Sequence, residues 1–164
     1  MDTRIQGLRS FLDAAHSNYH AISYLEAQLK QAGYTRLSEC RALEEGGKYY
    51  FLRGGTAIMA FRIPKTVTGG FLLSAAHSDR PCFKVKENPE LVGAYTRLAV
   101  ERYGGQILST WMDRPLSVAG RVMVETDSGL ESRLAGHYGD LIDRDLLLIP
   151  NVAIHMNRNI NDGY

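Results

Sequence analysis

Apolar residues recur at three- and four-residue intervals through Ile5, Leu8, Phe11, Leu12 and Ala15, which puts them on one face of a helix. Ser17 and Asn18 interrupt the stripe and suit the cap of a second helix. That helix carries its own stripe, Ile22, Leu25, Leu29 and Ala32, with Gly33 well placed as the stop. The pattern predicts a helical hairpin with His16 and His20 at its corner, as helix-end or packing residues. A ligand role for His20 would ask for an acidic or cysteine partner at i+3 or i+4, where Ser23 and Tyr24 stand instead.

From residue 48 the pattern changes to strands. Lys48 to Leu52 and Thr56 to Phe61 read as a pair joined at Arg53-Gly54-Gly55. No Gly-Lys-Ser/Thr follows the glycine pair, so a hairpin fits better than a phosphate loop. Thr66 to Gly70 is a loop. Phe71 to Ala76 is then a short continuous apolar run, the signature of a strand buried on both faces inside a sheet. Beyond Pro81 short strands take over: Phe83 to Lys86, Arg97 to Val100, Gly105 to Thr110, Arg121 to Thr126 and Leu146 to Ile149. Turn signals separate them at Asn88-Pro89, Tyr103-Gly104-Gly105 and Asp127-Ser128-Gly129. The spacing predicts a β-rich unit, with a boundary near residue 88.

Candidate chemistry sits where the apolar run ends. In open α/β sheets ligands collect at the carboxyl ends of the strands, and His77 and Asp79 fall there. Two residues apart in extended chain, their side chains leave on the same side. The imidazole can bind a metal through one nitrogen while the carboxylate orients it. A bare His-x-Asp is short, however, and is more often an ordinary pair of loop residues.

The surrounding motifs narrow the choice. Ala76-His77-Ser78-Asp79-Arg80-Pro81-Cys82 resembles the Ala-His-Thr-Asp-Ser-Pro segment of the aspartyl aminopeptidase family, the M18 dinuclear zinc exopeptidases. Ser109-Thr110-Trp111-Met112-Asp113-Arg114-Pro115-Leu116, with Ala119-Gly120-Arg121, is similar to the family's Thr-Trp-Phe-Asp-Arg-Asp-Leu and Ala-Gly-Arg segments. Ile149-Pro150-Asn151-Val152-Ala153-Ile154-His155-Met156 resembles its Pro-x-Leu-Ala-Ile-His-Leu stretch. Tyr19-His20-Ala21 and Ala32-Gly33-Tyr34 fit its first helix pair.

The resemblance implies an α/β fold class: residues 1–87 as the start of an α/β/α zinc-exopeptidase catalytic domain, residues 88–164 as part of a β-rich inserted dimerisation domain. It implies aminopeptidase activity on peptides with acidic amino-terminal residues, two Zn2+ ions per site, and dimers built into dodecamers. His77 becomes a ligand of one zinc, Asp79 the orienting carboxylate, and His155 a group that reaches the substrate in a partner subunit's active site. The resemblance supplies the remaining ligands and the general base from chain beyond Tyr164. Family members are far longer, so the chain looks like an amino-terminal portion. One imidazole cannot hold a catalytic zinc, for which three protein ligands are usual, so the 164-residue polypeptide is expected to be inactive alone. Arg80 departs from the family's small residue at that position. Asp113, beside Trp111 and Arg114, reads as an aspartate that holds its loop, and His137, between Gly136 and Tyr138, as a loop residue. A lone histidine in an apolar stretch is also often a core residue, and this reading of His155 stays open.

Composition removes other classes. With 19 basic and 18 acidic residues the net charge is +1, and no block of like charge marks a nucleic-acid or anionic-membrane surface. No run approaches the roughly 18 apolar residues of a membrane span, and Met1-Asp2-Thr3-Arg4 carries no signal-peptide core, so a cytoplasmic protein is expected. Cys40 and Cys82 give neither a disulfide framework nor a zinc-ribbon spacing. Two alternatives stay open: a related dinuclear peptidase, against which the Trp111 and His155 motifs argue, and a non-catalytic assembly or regulatory module derived from the same fold.

Overall fold

The computed structural model describes residues 2–39, 42–66, 69–136, 142 and 144–162. Helices α1 (Thr3–Ala14) and α2 (Asn18–Gln31) precede strands β1 (Thr35–Arg36), β2 (Lys48–Arg53), β3 (Ala57–Arg62), β4 (Cys82–Leu91), β5 (Arg97–Tyr103), β6 (Gly120–Thr126) and β7 (Gly129–Ala135). The chain forms two compact units, one of Met1–Arg80 with Ala119–Ile142, the other of Pro81–Val118 with Asp143–Tyr164. The sequence assigns residues 88–164 to one β-rich domain, whereas in the structure the β6–β7 hairpin groups with the helices. Among the described residues no helix is long and apolar enough to cross a membrane.

In the first unit the helix ends follow the sequence signals. Asp2 caps α1 by accepting from the Arg4 N–H at 2.9 Å. Ser17 caps α2, its Oγ accepting from the His20 N–H at 3.4 Å. Gly33, at φ 77°, closes α2: its N–H donates to the Lys30 carbonyl while the Tyr34 N–H reaches back to Leu29. Phe11 and Tyr24 meet edge to face across the two helices at 5.7 Å between centroids.

The first sheet has the order β1-β2-β3, with β1 parallel and β3 antiparallel to β2. Gly54 and Gly55, at φ 58° and 74°, make the β2–β3 turn in backbone that side-chain-bearing residues resist. Consecutive residues Tyr49 and Tyr50 are both buried, so the middle strand is covered on both faces. Tyr49 packs on Phe61 and accepts from the Glu44 N–H. Tyr50, completely buried, donates its hydroxyl to Glu26 Oε1 of α2 at 2.8 Å. Lys30 Nζ lies 3.2 Å and Arg36 Nη1 4.0 Å from the same oxygen. Burial alone would raise the Glu26 carboxyl, but the Tyr50 hydroxyl, Lys30 and Arg36 outweigh it and hold the group below its ordinary value. On the other flank of α2, the Arg121 guanidinium of β6 lies 4.8 Å over the Tyr19 ring.

Phe71 to Ala76 departs from expectation. The run forms no strand, and Phe71, Leu72 and Leu73 are 104%, 102% and 82% exposed. A strand exists only through its ladder neighbours, and among the described residues none pairs with this run. In the second unit, β4 and β5 form an antiparallel ribbon. The expected turn at Asn88-Pro89 is instead an irregularity inside β4, between Val85 and Glu90, where a proline without an N–H is tolerated. Gly105 to Thr110, expected as a strand, is loop and a 3-10 turn (Leu108–Trp111), because the Thr110 hydroxyl and N–H both turn back to the Ile107 carbonyl. Of the expected strand Leu146 to Ile149 only an isolated bridge remains, Leu116 to Leu147.

Two outcomes follow from the first unit. Tyr50→Phe should cost about 1.5–3 kcal/mol in thermal or urea melts, the loss of a hydrogen bond to a charged group. The Glu26 contribution should be present in full above its ordinary value of 4.5 and fade as pH falls through the lower folded value, so wild type and Glu26→Gln should converge in acid; a gap that widens there would contradict the cluster. Separately, replacing Phe71, Leu72 and Leu73 by serine should reduce light scattering and apolar-dye binding by the 164-residue polypeptide; unchanged values would mean the segment is covered.

Candidate active-site residues

His77 and Asp79 follow the exposed apolar run, so no sheet ladder holds them. Their anchor lies between them: the Ser78 hydroxyl donates to the Thr56 carbonyl at 2.8 Å, tying the segment to the β2–β3 turn. The sequence reading missed Ser78, whose importance depends on a contact 22 residues back along the chain.

The two side chains do come together. His77 Nδ1 lies 3.0 Å from Asp79 Oδ1 and 2.8 Å from the Asp79 carbonyl oxygen. Both neighbours are acceptors, so Nδ1 is the donor, and in the neutral ring Nε2 keeps the lone pair. The imidazole side chain is 81% exposed and the carboxylate 41%. This is the tautomer and orientation a metal-binding histidine needs. A zinc ion fits the open Nε2 as one nitrogen donor, but among the described residues no cluster of three or more His, Cys, Asp or Glu side chains could hold a metal.

His155 belongs to the second unit, at the centre of a 3-10 turn, Ile154–Met156, closed by the Met156 N–H to the Ala153 carbonyl at 2.8 Å. The residue is exposed, which is the opposite of a core histidine. Asp113 holds its loop as expected, its Oδ1 accepting from the Asn151 N–H at 2.9 Å. Trp111 packs edge-on against Phe83, ring centroids 5.2 Å apart. Two open hollows of this unit, about 380 and 430 Å³, lie along Thr110–Ser117 and Asp145–Leu148, and His155 lines neither. His20 is buried with Nδ1 2.7 Å from Ser17 Oγ, consistent with a helix-end role. Arg80 is exposed, and Cys82 is a half-buried free thiol at the start of β4. Cys40 and His137 lie outside the described residues.

Comparison with known proteins gives these positions a context. A probable M18 family aminopeptidase 2 from Ectopseudomonas mendocina (strain ymp) is 45% identical over 166 residues, spanning 98% of this chain and 37% of that protein. Among solved structures, the cryo-EM structure of the Ape4 and Nbr1 complex superposes with a TM-score of 0.83 at 34% identity, over 94% of this chain and 30% of that one. One described as "Structure of S. cerevesiae mApe1 dodecamer" superposes at 0.68 and 24% identity, over 92% of this chain and 36% of that one, a likeness of fold. The chain therefore spans about 37% of the length of the curated relatives it matches. Residues 11–164 match the family described as aminopeptidase I zinc metalloprotease (M18). With nearly the whole chain matched and the mixed helix-and-sheet fold shared, this chain belongs to the M18 aminopeptidase family.

Proposed function

We propose that this chain is the amino-terminal part of a zinc aminopeptidase that releases acidic amino-terminal residues from peptides, with His77 as a ligand of one of two zinc ions, Asp79 as its orienting carboxylate and His155 as a substrate-contacting donor. The observation that carries the reading is the 3.0 Å contact between His77 Nδ1 and Asp79 Oδ1, which leaves Nε2 available on an exposed ring. When bound, zinc lowers the pKa of a water toward neutrality and polarises the scissile carbonyl.

The residues of this chain act around that chemistry. Asp79 fixes the His77 tautomer and makes its imidazole the stronger donor. His155, on an exposed turn, offers a ring N–H to the peptide carbonyl oxygen as negative charge gathers there. The remaining ligands, and the carboxylate that takes the proton of the attacking water, come from outside the described residues, so the 164-residue chain alone is inactive.

Self-association is part of the proposal. In the second unit Val92, Tyr95 and Met156 are 94%, 80% and 78% exposed, apolar surface that a homo-oligomer would cover. The lack of a three-ligand cluster among the described residues favours one other reading, a non-catalytic assembly module.

In the full-length protein, His77→Ala should lose zinc and turnover together. Asp79→Asn should weaken metal affinity about 10- to 100-fold in a chelator titration. His155→Ala should lower kcat about 100- to 1,000-fold with zinc content unchanged. Release of Asp or Glu from peptides should exceed release of Lys or Leu. Zinc-dependent release by the purified 164-residue polypeptide would overturn the one-ligand account, and a full-length protein inert toward every peptide would favour the assembly module.

A further inference from the structure

We infer that Asp113 is the positioning residue for the His155 turn, and this rests on the reading of His155 as a substrate-contacting group. Asp113 stands at φ 53°, the only non-glycine residue with positive φ among those described. A side-chain-bearing residue keeps that backbone only where its surroundings fix it. Here the fixing contacts all go to one segment. The Asp113 N–H donates to the Ile149 carbonyl at 3.0 Å, and its Oδ1 accepts from the Asn151 N–H at 2.9 Å.

Leu116 and Leu147 exchange backbone hydrogen bonds at 2.9 Å in an isolated antiparallel bridge, and the Asp113 N–H to Ile149 lies beyond it, one residue out of its register. Asn151, two residues beyond Ile149, faces the same way, and the Asp113 carboxylate accepts from its N–H. From there the path to His155 is short and tied down. Asn151 Oδ1 accepts from the Val152 N–H at 2.8 Å, and the Met156 N–H closes the turn on Ala153. Asp113 thus fixes the near end of the segment whose far end presents His155, and no other described side chain bonds the Asn151 N–H.

The experiment uses the full-length aminopeptidase with an aspartyl peptide as substrate, measuring kcat and KM for Asp113→Asn, Asp113→Ala, Asp113→Gly, His155→Ala and the double variant Asp113→Ala/His155→Ala. Asparagine keeps the oxygen acceptor and tolerates positive φ, so kcat should stay within about threefold. Alanine, and glycine despite its easy backbone, lose the acceptor and should each lower kcat about 10- to 100-fold at nearly constant KM and zinc content, the effect of a displaced catalytic group. The double variant should be no slower than His155→Ala alone. Wild-type kcat in Asp113→Ala, whatever its melting temperature, would overturn the assignment. So would an equal loss in Asp113→Asn, or losses that multiply in the double variant. Wild-type kcat in His155→Ala would instead bring down the reading of His155, and the assignment with it.

Discussion

The Tyr50 hydroxyl is the constraint around which the first unit is arranged. It is wholly buried on the middle strand of the sheet, and a buried hydroxyl without a partner is costly. Its acceptor is Glu26 on α2, so satisfying it fixes the helix against the strand. The half-buried carboxylate is in turn held in its charged form by neighbouring cations. Lys30 supplies positive charge one turn along the same helix and Arg36 from β1, so helix, short strand and central strand meet at one oxygen. The hairpin β2–β3 is held by this cluster, and its turn gives the Thr56 carbonyl that anchors Ser78 between His77 and Asp79.

Local signals were legible in the sequence and long-range ones were not. The helix stripes, the Ser17 cap, the Gly33 stop, the glycine turn after β2 and the Asp127-Ser128 turn between β6 and β7 depend on a few neighbouring residues, and each is found. Phe71 to Ala76 failed as a strand because apolar composition states a wish for burial, and only a ladder partner fulfils it. Asn88-Pro89 departs in the other direction: it signals a turn, but a strand can run past a proline where its ladder is already interrupted.

The pairing of His77 with Asp79 was legible because it needs only two residues of separation. What the sequence could not indicate is how that pair is held once the strand before it is absent. A serine hydroxyl to a carbonyl 22 residues away takes that part. A histidine ligand is only as well directed as its ring, and the ring is directed twice over, by the Asp79 carboxylate and by its own backbone carbonyl. That redundancy suits an imidazole, proposed as a zinc ligand, that stands 81% exposed on an irregular segment, where packing contributes little to its orientation.

Backbone interruptions link the two candidate histidines by a common physical device. Near His77 a run without ladder partners is stabilised by a side-chain hydroxyl on a distant carbonyl. Before His155 a carboxylate accepts the Asn151 N–H beyond an isolated bridge. In both places a polar side chain bonds a backbone group of a distant segment. Irregular segments can leave the regular directions of helix and strand, which frees a functional side chain to point where a substrate needs it, but their backbone groups must still be satisfied. Asp113 meets that requirement for the Asn151 N–H, and Ser78 meets it for the Thr56 carbonyl, which ties the segment that carries His77 to the β2–β3 turn.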